Sequence, residues 1–360
     1  MKKKKLAGFL LLFLVIVGSL DFLQRLFMPK FMGDIVEGAL IAEYYKETTD
    51  HDVIFIGDCE VYENFSPITL WEDYGITSYI RGSAQQLIWQ SYYLLEETLK
   101  YETPEVVVFN VLAMKYDEPQ KEAYNRMTLD GMRWSSSKVG SIRASMMEDE
   151  EFLDYVFPIL RYHSRWKELS ADDFKYLYHR DPVSHSGYYM RVDVKPAQTF
   201  PKPKKLGNYQ FGENAYAYLD KMRELCEENG VELVLIKAPS LYPAWYDEWE
   251  EQMEAYAAEH GLSYYNFLEV TEEAGIDFTT DTYDGGLHLN LSGAEKLARY
   301  FGGILKEEFD LPDHRGEEEL QAVWEEKCDA YYAMKARQEA ELSEYGYLKM
   351  YNSDEEDLQS

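Results

Sequence analysis

Cysteine is scarce: the 360-residue chain has three, Cys59, Cys226 and Cys328. An odd number with no metal-type spacing excludes a disulfide framework as the support of the domain, although a single 226–328 bridge stays open. Histidine is sparse too. The seven histidines form no HExxH or similar ligand pair, so the sequence offers no support for a zinc site, and nothing in it asks for a cofactor. Basic charge is short as well: 36 Lys and Arg stand against 66 Asp and Glu, a formal charge of −30. That balance excludes a nucleic-acid backbone as partner. It also disfavours docking of the folded domain onto anionic lipid, and its plain reading is solubility. No internal repeat is present.

Apolar and aromatic residues are abundant. They make up 46% and 15% of the chain, with 31 tyrosines, which permits a sizeable packed core and argues against global disorder. The length suits one large domain with insertions, or two small ones.

Lys2 to Lys5 precede an apolar run from Leu6 to Leu20. That order predicts a cytoplasmic N-terminus. As a helix the run is about 22 Å long, short of the ~30 Å hydrocarbon core. Phe22, Leu23, Leu26, Phe27 and Met28 continue an apolar face that completes the span or lies in the interface. The rival is a cleaved signal peptide, with Val17-Gly18-Ser19 as a poor cleavage site. An uncleaved single-pass anchor in the cell membrane is the favoured expectation. Either way, the remaining chain is expected outside the cytoplasm.

Beyond the anchor, short apolar runs predict strands at 52–57, 76–80, 105–110, 231–236 and 262–267. Helical spacing predicts helices at 85–101, 213–229, about 246–259, and from about 292. Such alternation implies βαβ units and an α/β fold with a doubly wound parallel sheet. The pattern breaks between 112 and 205. The expected organisation is therefore an anchor (1–30), a sheet domain in two parts (31–111 and 206–312) with a helical insertion (112–205), and an acidic C-terminal helix and tail (313–360). The helix, at 315–343, is expected to be exposed and amphipathic. The insertion aromatics Tyr155, Tyr162, Trp166, Tyr176, Tyr178, Tyr188 and Tyr189 read equally as a sugar-stacking surface or as core.

In a doubly wound sheet the site forms where loops leave the C-terminal strand ends. Gly57-Asp58-Cys59-Glu60 places Cys59 directly after the first strand, where a thiol at a strand-to-helix turn gains thiolate character. Taken alone, it reads as a small buried hydrophobe. Gly82 follows the second strand and Asn110 the third, and Asp284-Gly285-Gly286-Leu287-His288 precedes the last helix. Separately these are a turn glycine, a strand-end cap and a tight turn.

In this order, across 52–305, they resemble the blocks of the SGNH (GDSL-like) hydrolases, with Cys59 where that family has its serine. The resemblance implies a flavodoxin-like, three-layer α/β/α fold. It implies Cys59 as nucleophile, His288 as base, and Asp284, with Asp281 as alternative, as orienting acid. It also implies an oxyanion hole from the Cys59 and Gly82 backbone and the Asn110 amide. Two features depart from the family pattern. The family spaces Asp three residues before His, whereas Asp284 is four before and Asp281 seven; and Glu60 beside Cys59 disfavours a thiolate.

One anchor plus an external domain resembles the DltD-like D-alanylation proteins and the alginate O-acetylation proteins. That implies a thioester-forming acyltransferase or esterase acting on cell-envelope carbohydrate polymer, beside a membrane-bound O-acyltransferase. The alternative is a catalytically silent module that binds a glycan or such a partner through the insertion and the 315–343 helix.

Overall fold

The computed structural model describes residues 2–29, 40–198 and 202–351. Its centre is a five-stranded, all-parallel sheet, β1 (Val53–Gly57), β2 (Ser78–Gly82), β3 (Val106–Asn110), β4 (Glu232–Lys237) and β5 (Ser263–Asn266), in the order β2-β1-β3-β4-β5. Successive side chains of a strand point to opposite faces, so a sheet covered on both sides needs apolar residues at consecutive positions. Val53, Phe55, Val106, Val108, Val234 and Ile236 face one core, under the helices Pro67–Tyr74 and Leu291–Glu308. Ile54, Ile56, Val107, Phe109, Leu233 and Leu235 face the other, under Ile88–Thr98, Glu213–Asn229 and Asp247–His260. This is the doubly wound α/β/α architecture. The strand order reverses between β1 and β3, so the crevice of the fold opens at their C-terminal ends.

The helix Lys2–Phe27 contains a stretch, Lys5–Phe27, with mean hydropathy 2.5 that is long and apolar enough to cross a membrane. It runs past the apolar segment because Arg25 pairs with Asp21 one turn earlier, at 2.9 Å. Between β3 and β4 lie five short helices, Glu122–Leu129, Ser136–Ser145, Phe152–Val156, Pro158–Tyr162 and Ala171–Tyr176. They gather a small core of their own from Leu129, Met132, Ile142 and Tyr155, with Ile41 and Leu94. Of the insertion aromatics, Tyr155, Tyr162, Tyr188 and Tyr189 are buried, while Trp166 and Tyr178 are 62% and 85% exposed.

The C-terminal helix, Glu318–Tyr345, is docked, contrary to the expectation of an exposed one. Trp324, Tyr331 and Gln338, seven residues apart, fall on one face and are buried. Trp324 stacks on Trp71 with ring centroids 5.1 Å apart, and Gln338 brackets the insertion segment by donating to Met190 O (3.0 Å) and accepting from Val192 N (3.1 Å). The amphipathic face that the sequence shows is thus the docking face, and what the pattern did not reveal is the surface that covers it. All three cysteines are free thiols, so the 226–328 bridge does not form. The polar tail expected at 352–360 lies outside the described residues.

Candidate functional site

Gly57 ends β1 where the chain doubles back too closely for any side chain. A Cβ there would stand 2.5 Å from Val61 Cγ2 and 3.1 Å from Asn110 Cβ. Asp58 follows in extended conformation, and its carboxylate accepts from Glu60 N at 3.2 Å, starting the one-turn helix Cys59–Tyr62. From Val53 to Trp71 Cys59 alone is not fully buried, and it packs partly against the core beside the turn.

The histidine reaches the same edge from the loop before the helix Leu291–Glu308. Asp284 shapes that loop, its Oδ1 accepting from Leu287 N (3.1 Å) and His288 N (3.0 Å), while its Oδ2 meets His288 Nδ1 at 2.7 Å. One carboxylate thus bends the turn and orients the ring, leaving Nε2 as the nitrogen that can exchange a proton. Gly285 and Gly286, at φ +88° and +104°, carry the chain through the turn between Asp284 and His288 in a conformation that favours glycine. Asn64 Oδ1 accepts from Leu289 N at 2.8 Å and pins the loop against the segment that follows Cys59. Asp281 does not reach the ring: it pairs with Lys296 Nζ at 2.6 Å and accepts from Asp277 N.

His288 and Cys59 lie close enough for each to shift the other's titration, by charge and by hydrogen-bond contact. Yet Nε2 of His288 is buried without a well-formed hydrogen bond to any described group, so the thiol–imidazole contact is loose. Burial pushes the Cys59 thiol up to about 11 against the opposing pull of His288. For His288 burial works in the other direction, but Glu63, Cys59 and Asp284 together hold the imidazole well above its usual range.

Glu63 was not among the residues read from the sequence. Its Oε2 lies 3.7 Å from His288 Nδ1, and Tyr283, whose hydroxyl stands 3.4 Å from that nitrogen, donates to it. The available signal was its position, four residues after Cys59 and hence on the same face of a helical turn. Glu63→Gln is expected to move the rise of Cys59 alkylation to lower pH. A group held above its ordinary pKa becomes a neutral base only as the pH climbs through the folded-state value, and removing a charge that raises that value brings the transition down. Iodoacetamide incorporation at Cys59, followed by peptide mass spectrometry across a pH series, measures this. An unshifted profile refutes it.

Asn110 ends β3 as expected, but its amide is engaged. Nδ2 donates to Asp58 Oδ1 and Glu60 Oε2, both at 3.1 Å, and Oδ1 accepts from Ala238 N at 3.2 Å. Both Asn110 N–H groups are engaged by carboxylates in this arrangement, so donation to an oxyanion would require one of them to be released. The carboxylates that hold Asn110 belong to a buried cluster. Glu60 pairs with Lys237 Nζ at 2.8 Å, Lys237 also donates to Ala238 O at 2.6 Å, and burial followed by the Glu60 charge pushes Asp58 up to about 6. Lys237, ending the apolar run of β4, was likewise missed; a lone lysine closing such a strand was the signal. Gly82 lies opposite Gly57 in the β1–β2 register, where a Cβ would stand 3.0 Å from Gly57 O and from Tyr62 Cδ1. Among the described residues no group of three or more His, Cys, Asp or Glu is placed to hold a metal ion.

No protein-family model matches the sequence, and no curated protein matches it. Among solved structures, the chain is similar to a protein from Desulfitobacterium hafniense DCB-2 described as a candidate lipolytic protein of the G-D-S-L family. The identity is 14% and the TM-score 0.35, over 71% of this chain and 100% of that one. It is also similar to a protein from Bacteroides fragilis NCTC 9343 described as a candidate acylhydrolase, at 11% identity and TM-score 0.37, over 74% of this chain and 95% of that one.

Proposed function

We propose that this chain is a membrane-anchored ester hydrolase or O-acyltransferase that works through a thioester on Cys59. The observation that carries the reading is the Asp284–His288 pair lying against the part-buried Cys59 thiol at the crevice of the sheet. Neutral His288 takes the thiol proton at Nε2, and the thiolate adds to an acyl carbonyl. The tetrahedral intermediate then expels an alkoxide, which takes the proton back from the imidazolium. Water or a second hydroxyl, deprotonated by His288, attacks the thioester and frees Cys59. Backbone N–H groups of Cys59 and Gly82 are the proposed oxyanion donors. The domain faces outward from a cytoplasmic N-terminus, with O-acylated envelope carbohydrate as substrate class and a membrane-bound O-acyltransferase as partner. The apolar N-terminal helix and the Lys2 to Lys5 cluster that precedes it support this placement.

The test is the full chain with p-nitrophenyl acetate: a burst of nitrophenol, and an acetyl group on the Cys59 peptide that is absent from Cys59→Ala. Within this reading Asp284→Asn is expected to slow the burst, and by less than loss of the base itself does. Glu63 keeps a second carboxylate near Nδ1. Asp281→Asn should leave the burst unchanged, and equal effects of the two substitutions would refute the assignment of the acid.

The second reading, a silent binding module, draws on the Asn110 amide already held by two carboxylates and on a thiol pushed up to about 11. It predicts neither burst nor acetyl adduct.

A further inference from the structure

Outside the N-terminal helix, half of the large apolar side chains that stand exposed fall in one short stretch: Leu153, Phe157, Leu160, Trp166, Phe174 and Tyr178. The placement of this stretch sets it apart. Arg165 from its middle donates to Phe27 O at 2.8 Å, capping the last turn of the N-terminal helix, and Leu26 of that helix is buried. Trp134, 53% exposed, lines a cavity shared by Asp21, Arg25 and Met28 at the end of that helix and Pro158 of the stretch.

Charge separates the stretch from the rest of the domain. Residues 153–182 carry five basic side chains (Arg161, Arg165, Lys167, Lys175, Arg180) and five acidic ones (Asp154, Glu168, Asp172, Asp173, Asp181), a net charge of zero in a chain of −30. An acidic domain is repelled by anionic headgroups, but this face is not. Exposed Trp and Tyr beside Arg and Lys with long apolar stems are the side chains that settle at a membrane–water interface.

We infer that the 153–178 stretch lies in the interfacial layer of the same bilayer that the N-terminal helix crosses, so that the domain rests on the membrane through this foot. The inference rests on the anchor reading, and its occupant is lipid. Continuity with the spanning helix selects it: side chains packed against the last turn of that helix stand at the depth where the helix leaves the hydrocarbon. Such docking would hold the Cys59 edge at a fixed height and tilt above the lipid.

The experiment uses the native full chain in phosphatidylcholine vesicles with lipid brominated near the glycerol end of its acyl chains. Of the seven tryptophans, Trp134 and Trp166 are the exposed ones, so quenching reports mainly on the foot. The expected result is that tryptophan fluorescence is quenched and that Trp166→Phe removes a large share of the quenching. Flotation of the same vesicles on a density gradient reports the anchor separately. Protein that floats without tryptophan quenching overturns the docking alone, and would leave the foot to a protein partner. Protein that does not float overturns the anchor and the docking with it. The double variant Trp166→Ser/Phe174→Ser, on an exposed surface that folding does not need, keeps Trp134 as reporter and is expected to float as well as the native chain while losing most of the quenching of Trp134. Full quenching in that variant also overturns the inference.

Discussion

His288→Ala is expected to slow acyl transfer to Cys59 by about 10²–10⁴-fold, the span that a positioned general base supplies. The reason lies in the burial of the thiol. A group pushed up to about 11 is ionised to roughly one part in 10⁴ at pH 7, so attack without a base proceeds through a very small thiolate fraction. His288 is the described group whose ring is in contact with that thiol and whose Nε2 is not otherwise engaged. The substitution also removes the ring that Asp284 holds and Glu63 flanks, which disturbs the loop as well as the proton transfer. His288→Gln separates the two effects, because its amide can still donate to Asp284 but cannot accept a proton for transfer. The rate of the p-nitrophenyl acetate burst and the rate of iodoacetamide alkylation should fall together in both variants. Alkylation that ignores His288 would leave the thiol without its base and favour the silent module.

How much of this was legible beforehand depended on how local the physics was. The strands could be read because burial on both faces forces a run such as Val53-Ile54-Phe55-Ile56, and Glu213–Asn229 has the bounds its spacing predicts because Gly230 closes it in a left-handed turn. The Asp284–His288 contact was anticipated from the resemblance of its motif, with Asp281 as the alternative, and it spans one tight loop. Glu63 was missed although it lies on the same turn as Cys59, because its importance comes from Tyr283 and His288, more than 200 residues away in the chain (|i−j| = 220 for the Tyr283 contact). The engagement of Asn110 was invisible for the same reason. It needs β1, β3 and β4 side by side, bringing Asp58, Glu60 and Lys237 to a single edge. The docked C-terminal helix is a third case: Trp324, Tyr331 and Gln338 mean little until Trp71 and the Met190 segment stand opposite them.

Lys237→Met is expected to destabilise the fold by about 3–5 kcal/mol, the usual consequence of removing one partner from a buried ion pair. Lys237 and Glu60 are both fully buried and 2.8 Å apart, and Glu60 Oε1 has no other hydrogen-bond partner among the described groups. Without the ammonium, the Glu60 carboxylate faces Asp58 with only the Asn110 amide between them, and one of the two acids must take up a proton to stay buried. Urea unfolding of the detergent-solubilised full chain should show the midpoint falling with little change in slope. Adding Glu60→Leu to Lys237→Met should recover most of the loss, since replacing both members of a buried pair by apolar groups is often close to neutral. The double variant also tests the oxyanion role. With Glu60 gone, one Asn110 N–H is released beside the Cys59 turn, so the acyl burst should be faster than in the native chain once both proteins are confirmed folded. A recovered midpoint with an unchanged burst would mean that Asn110 serves the buried cluster alone, and that the oxyanion of this site is held by backbone N–H groups.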